Sequence, residues 1–190
     1  MKPPFGALLA AGASRRFGPE DKLLAPWRGR PLVLWAAEAM REAGCGALAA
    51  VVSSPEVAAA LPEGFAPLRV APGLPMAESL RRAVLAAQEA GAESLLICLG
   101  DMPGVSGELL RRLIAGAEGR TRACLREGVR SPPALLLAAD FAAALRAEGD
   151  QGARAILRGL APEDLLDLAP EEAADVDRPE DLTRFQRPRL

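Results

Sequence analysis

Histidine is absent from all 190 residues, and that gap removes a large share of enzyme chemistry. Ser-His-Asp and Cys-His nucleophile activation, histidine general bases and imidazole-containing zinc sites all need a residue this chain lacks. Cysteine is scarce: Cys45, Cys98 and Cys124 are an odd number, widely spaced, with no Cys-x-x-Cys pair that would signal a metal or redox site. On their own they read as small buried apolar residues. Long apolar runs are missing too. The stretches near 47–52, 95–99 and 134–139 fall far short of the ~18 residues of a membrane helix. The first residues show no signal-peptide layout, and the chain reads as cytoplasmic. With a net charge of −2 and no long basic run, nucleic acid is not the partner this composition points to. The chemistry left is that of carboxylates, Lys, Arg, hydroxyls, backbone amides or a hard metal ion.

Lysine is the other shortage. It occurs only at Lys2 and Lys22, and the rest of the 23 basic residues are arginine. An ammonium is a compact point charge where guanidinium is a broad planar fork. Lys22, inside a Gly- and Pro-punctuated loop, therefore marks a place that wants the compact charge, although an ordinary exposed lysine also fits.

The length suits one domain over residues 1–190, with 186–190 as a frayed tail. Strands are expected at Phe5–Ala10, Ala47–Val52, 67–71, Ser94–Leu99, 122–125, 134–137 and near 173–177. Helices are expected at 31–43, after Ser53 and Ser54, at 76–90, 107–117, 138–147 and 153–159, and from Pro179 through Phe185. Residues 12–31 read as one long loop. The run Ser94–Leu99 is continuously apolar, as a strand central to a parallel sheet must be. Strands alternating with helices imply an α/β three-layer sandwich, Rossmann-like, with a mainly parallel sheet.

Ligands of open α/β sheets bind beyond the carboxyl ends of the strands. Four conspicuous segments fall there: 12–22, 73–80, 100–103 and 175–177. In the first, Gly12 and Gly18 permit close backbone approach, and Arg15, Arg16 and Lys22 offer cations to a polyphosphate. It is neither a Walker A loop nor a G-x-G-x-x-G fingerprint, and without the other segments a solvated connector explains it equally well. Asp101, at the mouth of an apolar strand, suits Mg²⁺; capping a helix that begins near Val105 is the alternative. Asp177 is open between capping the last helix and supplying a second metal carboxylate.

These residues together resemble a known family, the MobA/MocA-like nucleotidyltransferases, and most closely its molybdenum cofactor cytidylyltransferase branch. The resemblance spans nearly the whole chain. It rests on Leu9-Ala-Ala-Gly-x-Ser-x-Arg-x-Gly18 with Lys22-Leu-Leu, Pro31-Leu32, Ser79-Leu80, Gly100-Asp-Met-Pro103, Gly149-Asp-x-Gly-Ala-Arg154 and Val176-Asp-x-Pro-Glu-Asp-Leu182. The double alanine before Gly12 and the Gly-Asp-x-Gly-Ala-Arg segment set it on the cytidylyl side.

The resemblance implies a nucleotide-diphospho-sugar transferase fold and Mg²⁺, with Mn²⁺ as the other candidate. It also implies transfer of CMP from CTP to the phosphate of molybdopterin; GTP or another phosphorylated acceptor is the alternative, and a silent cofactor-binding chaperone a further one. A molybdoenzyme or its chaperone is the implied recipient. Arg16, Lys22 and Asp101 take the catalytic roles. Gly12, Arg16 and Lys22 meet the triphosphate, while Ala10, Ala11, Ser14 and Ser79 line the nucleotide pocket. Asp101 and Asp177 hold the metal. At Arg130-Ser131-Pro132-Pro133 the chain departs from the Gly-(Asn/His)-Pro turn usual in the family, on the acceptor side.

Overall fold

All six residues of β1 (Phe5–Ala10) are buried, as a strand covered on both faces requires. The coordinates are a computed structural model describing residues 2–12, 17–18 and 21–184, apart from the side chains of Gln151, Ala155 and Arg184. Ser14, Arg16 and the tail 186–190 lie outside the described residues. After β1, the described part of the loop expected at 12–31 carries structure of its own. It holds a 3₁₀ turn at Lys22–Leu24 and a small antiparallel ribbon of β2 (Pro26–Trp27) and β3 (Arg30–Pro31).

Then come α1 (Leu32–Glu42), β4 (Ala47–Val52) and α2 (Pro55–Ala60), the last opened by the Ser54 hydroxyl accepting from the Val57 amide. β5 (Phe65–Arg69), α3 (Met76–Glu89), β6 (Ser94–Leu99) and α4 (Gly107–Ala115) continue the alternation. The second half comprises β7 (Arg122–Arg126), β8 (Val129–Leu137), α5 (Ala138–Leu145), the short α6 (Arg154–Leu157), β9 (Leu165–Asp167) and α7 (Pro179–Arg184).

The main sheet has seven strands in the order β5-β4-β1-β6-β8-β7-β9. β8 pairs antiparallel with β6 and with β7, and the other pairings are parallel. Side chains on alternate sides of β1 enter two separate cores. Phe5, Ala7 and Leu9 pack with α3, α5 and Leu157, whereas Leu8 and Ala10 pack with α1, α4 and Val57. Helices therefore cover both faces, and the three-layer, mainly parallel α/β expectation holds.

The chain walks outward from β1 through β4 to β5, then returns to β6 on the other side of β1. The crevice of a doubly wound sheet opens where the walk reverses. Here that point lies between the ends of β1 and β6.

Several element readings need correction. Residues 173–177 form no strand: they cross the sheet's end, tied through the Val176 amide to the Asp101 carbonyl (3.1 Å). The last strand is instead β9, three residues parallel to β7 and too short for any periodicity to show. β8 starts at Val129, five residues before its apolar run, because Glu127 (φ 49°) and Gly128 (φ 79°) close a two-residue hairpin. That backbone is the one such hairpins need, but Glu-Gly is a weaker signal for it than Asn-Gly. The ladder then skips from Ala123↔Ala134 to Cys124↔Ser131. Pro132 and Pro133 stand out of register, since prolines have no N–H to give. β5 begins two residues early, its Pro67 tolerated on an edge strand, and α6 has four residues rather than seven. Among the described residues no helix is long and apolar enough to cross a membrane.

Candidate active site

Lys22 is held by its neighbours. The Asp21 carboxylate accepts from the Leu23 amide (3.0 Å), opening the 3₁₀ turn, and Leu23 is buried in the core on the α1 side. That anchor turns Lys22 inward, where it is itself buried. Asp101 is set by a close approach of two strand ends. The Gly100 amide donates to the Leu9 carbonyl (2.9 Å), and a Cβ on Gly100 would stand 3.3 Å from both Ala10 Cβ and Leu23 Cδ2. The third contributor is the Asp-Val-Asp segment. Val176 is fully buried with Phe17, Trp27 and Leu32, and in extended chain its two flanking residues face the same way.

The outcome is a cluster in which Asp101, Asp175 and Asp177 each offer a carboxylate oxygen, all within 4.8 Å of one another. The Lys22 ammonium lies against two of them. It donates to Asp101 Oδ2 (2.7 Å), the Val176 carbonyl (3.0 Å) and Asp177 Oδ1 (3.3 Å). Burial pushes the Lys22 pKa down, but the Asp101 and Asp177 carboxylates outweigh it, and the ammonium stays above the usual lysine range. Arg126 Nη1 donates to Asp175 Oδ2 (2.7 Å). Burial first, and then the negative charge of Asp101, hold the Asp175 carboxyl above the usual aspartate range despite that bond.

Asp101 Oδ1 is buried with no partner among the described residues. An orphaned carboxylate oxygen beside two more carboxylates is a hard, oxygen-only donor set, and it fits Mg²⁺ or Mn²⁺. The helix-cap alternative for Asp101 falls away, because the hydroxyl of Ser106 opens α4 by accepting from the Leu109 amide (3.1 Å). The amides of Asp177 and Arg178 both donate to Asp181 at the start of α7 (3.0 and 2.9 Å). The Asp177 carboxylate, by contrast, reaches back to Lys22.

A cleft of about 380 Å³ opens above this cluster. Ala10, Ala11, Gly12, Lys22, Ser79, Asp101 and Asp177 line it, so seven residues named from the sequence share one cavity. Two more residues belong to the neighbourhood and were given no role. Asp175 follows from the alternation of Asp-Val-Asp, visible in the sequence once that segment is read as extended. Asp150 also lines the cleft and accepts from the Met76 amide (3.4 Å), tying the Gly149-Asp-x-Gly-Ala-Arg154 segment to the start of α3.

Comparison with known proteins adds the lineage. The model of the MobA-like NTP transferase domain matches residues 6–165. The chain is 32% identical over 193 aligned positions, 95% of both chains, to a nicotine blue oxidoreductase of Paenarthrobacter nicotinovorans. It is 34% identical over 120 positions to a molybdenum cofactor guanylyltransferase of Xanthomonas euvesicatoria pv. vesicatoria (strain 85-10), covering 63% of this chain and 58% of that one. Among solved structures, Rv0371c of Mycobacterium tuberculosis H37Rv superposes with a TM-score of 0.83 at 27% identity, over 96% of this chain and 97% of that one. A second structure of Rv0371c, described as a complex with manganese, superposes with a TM-score of 0.78 at 25% identity over the same shares. The chain belongs to the MobA-like NTP transferase family.

Proposed function

We propose that this protein is a Mg²⁺-dependent cytidylyltransferase, one domain over residues 1–190, that transfers CMP from CTP to the phosphate of molybdopterin in the cytoplasm. The observation that carries the reading is the grip of Lys22 on Asp101 and Asp177, with Asp175 within 4.8 Å of both carboxylates, beside a cleft that Ala10, Ala11 and Gly12 also line. A phosphate oxygen of the acceptor attacks the α-phosphorus. A new P–O bond forms, the bond to the bridging oxygen breaks, and pyrophosphate leaves. No protein nucleophile is needed, because such transfers depend on positioning and charge stabilisation.

The chain's own residues have separable tasks. Gly12 borders the phosphates, Ala10, Ala11 and Ser79 the nucleoside, and Lys22 with Arg16 neutralises charge gathering on pyrophosphate. Asp101, Asp175 and Asp177 would hold the divalent ion, which supplies Lewis-acid polarisation of the phosphate when bound. Manganese in a relative supports a divalent ion of this class, with Mn²⁺ the alternative to Mg²⁺. The product would pass to a molybdoenzyme or its chaperone.

The base preference rests on Ala10-Ala11 and on the Gly149-Asp-x-Gly-Ala-Arg154 segment, which resemble the cytidylyl branch. One relative's name, a guanylyltransferase, makes GTP the second reading. The test is pyrophosphate release with each nucleoside triphosphate, with and without molybdopterin, in Mg²⁺ and in Mn²⁺. Preferential turnover of CTP that depends on molybdopterin is expected, and a preference for GTP would overturn the base assignment. Turnover of nicotine blue without pyrophosphate from any nucleotide would favour the activity named for the oxidoreductase relative instead.

A further inference from the structure

Phe17, Ala25, Trp27, Leu32 and Val176 form a third, small core that shares no residue with the two flanking the sheet. Trp35 of α1 and Leu182 of α7 pack against it from outside. Its members come from the segments that carry the site. Phe17 lies inside the Gly- and Arg-bearing loop. Gly18 turns the chain directly after it at a φ of 106°, a backbone that suits glycine. Ala25 and Trp27 follow the turn that carries Lys22, so Lys22 sits between two anchors in one core. Val176 comes from the far end of the chain and separates Asp175 from Asp177.

Val176 is held in three directions. Its amide donates to the Asp101 carbonyl (3.1 Å), its carbonyl accepts from Lys22 Nζ (3.0 Å), and its side chain fills this core. Consecutive Cα atoms are fixed about 3.8 Å apart, so a shift of Val176 moves both acids. Interiors pack closely, and in a core of five buried residues each side chain is felt by the others. Phe17 therefore shares a wall with the residue that places Asp175 and Asp177.

We propose that Phe17 is a positioning residue that couples the phosphate-binding loop to the metal-binding acids. A triphosphate held by the loop fixes the seated ring, the ring fixes Val176, and Val176 places Asp175 and Asp177. Nucleotide and divalent ion thereby strengthen each other's binding through the packing of this chain, in addition to any direct bond between them. Such coupling is reciprocal. The inference rests on the nucleotidyl-transfer reading for what the loop and the acids hold.

The chain carries its own reporter, because Trp27 and Trp35 are its two tryptophans and both belong to or pack against this core. Tryptophan emission of the unaltered protein is recorded with a non-hydrolysable CTP or GTP analogue in chelating buffer, and with Mg²⁺ alone. Each ligand is expected to change it. Calorimetry then measures Mn²⁺ binding with and without saturating analogue. The factor by which the analogue tightens Mn²⁺ is expected to fall about fivefold in Phe17→Ala, a usual size for a residue lying between two coupled sites. Phe17→Leu, which still fills the core, should keep the wild-type factor within about twofold. Direct bonding of the ion to phosphate is common to all three proteins and cancels in this comparison. A merely structural Phe17 would weaken Mn²⁺ equally with and without the analogue.

The proposal is overturned if Phe17→Ala keeps the wild-type coupling factor, or if Phe17→Leu loses as much of it as Phe17→Ala does. It also fails if neither analogue changes the tryptophan emission of wild-type protein. The emission arm uses unaltered protein, so a variant that folds poorly does not spoil the test. Wild-type protein that binds Mn²⁺ but neither analogue would sink the nucleotidyl-transfer reading as well. Binding of both ligands with coupling unchanged in Phe17→Ala sinks this inference alone.

Discussion

Replacing Lys22 with methionine removes the ammonium from the centre of the carboxylate cluster and keeps most of the side chain's length. Asp101 and Asp175 would then face each other within 4.8 Å, with Arg126 as the remaining cation paired to the cluster among the described residues. At an effective dielectric of about 20, opposite charges about 4 Å apart attract by roughly 4 kcal/mol, and the variant loses that attraction between Lys22 and Asp101, reduced somewhat by solvent at a carboxylate that is 21% exposed. Asp177 adds little, because its side chain is half exposed and solvent screens it. Removing one partner of a buried ion pair costs about 3–5 kcal/mol, so two routes agree on about 3 kcal/mol. In a chain of this size each kcal/mol moves Tm by roughly 2–4 °C, which gives a drop of about 6–12 °C.

The assay is thermal unfolding in a chelating buffer, repeated with Mn²⁺. A divalent ion can take over the neutralising task of Lys22, so Lys22→Met should gain more from Mn²⁺ than wild type does. The double variant Lys22→Met/Asp101→Asn, with one charge fewer, should recover much of the loss in the chelating buffer. A Tm within about 2 °C of wild type would refute the electrostatic reasoning. So would an equal gain from Mn²⁺ in both proteins.

Two further expectations concern other parts of the fold. A Cβ on Gly104 would stand 1.8 Å from the Glu171 carbonyl oxygen, so Gly104→Ala must push away the backbone that leads to Asp175. Overpacking of this kind costs about 1–3 kcal/mol. Calorimetric titration with Mn²⁺ should show weakened binding along with the lower Tm, and wild-type values for both would contradict this account. Burial also pushes the Cys45 thiol up to about 11 and the Cys124 thiol to about 12, with Cys98 raised further. The folded state thus keeps protons that the unfolded chain loses above about pH 8.5. Stability should be flat below that pH and fall above it, by up to about 1.4 kcal/mol per pH unit per thiol. Urea midpoints at pH 7.5 and 10 read this out; the fall should be smaller in Cys98→Ala/Cys124→Ala, and equal falls would remove the thiols as its cause.

What the sequence could and could not tell follows from where each signal lies. The parallel core was legible because β1, β4 and β6 are apolar throughout and punctuated by Gly and Pro, and their bounds matched. Lys22 and Asp101 stood out by rarity and by position at a strand's mouth. Their contact, across 79 residues of chain, depends on how Leu23 and Gly100 pack, which no local pattern encodes. Asp175 was passed over although its place was legible: as a strand or as any extended segment, 173–177 sets Asp175 and Asp177 on one side, and only the residue at the supposed strand's end was given a role. The Arg126–Asp175 pair was out of reach, since it joins a hairpin's end to a segment 49 residues on. Of the cations in the charged loop at 12–22, rarity marked Lys22, and among the described residues it is seen to grip the carboxylates.

The bond from Lys22 to the Val176 carbonyl spans 154 residues, and this sets a timetable for the molecule's own making. A ribosome-bound chain already past β8 would hold most of the sheet and the whole Gly-rich loop, yet no closed carboxylate cluster. Closing so long a loop costs entropy that grows only slowly with length, so the delay comes from synthesis rather than from search. The site therefore becomes able to hold a metal ion late, once the rest of the fold is there to receive it. A chain cut short before Asp175 would be left as a folded shell without the site's last two acids.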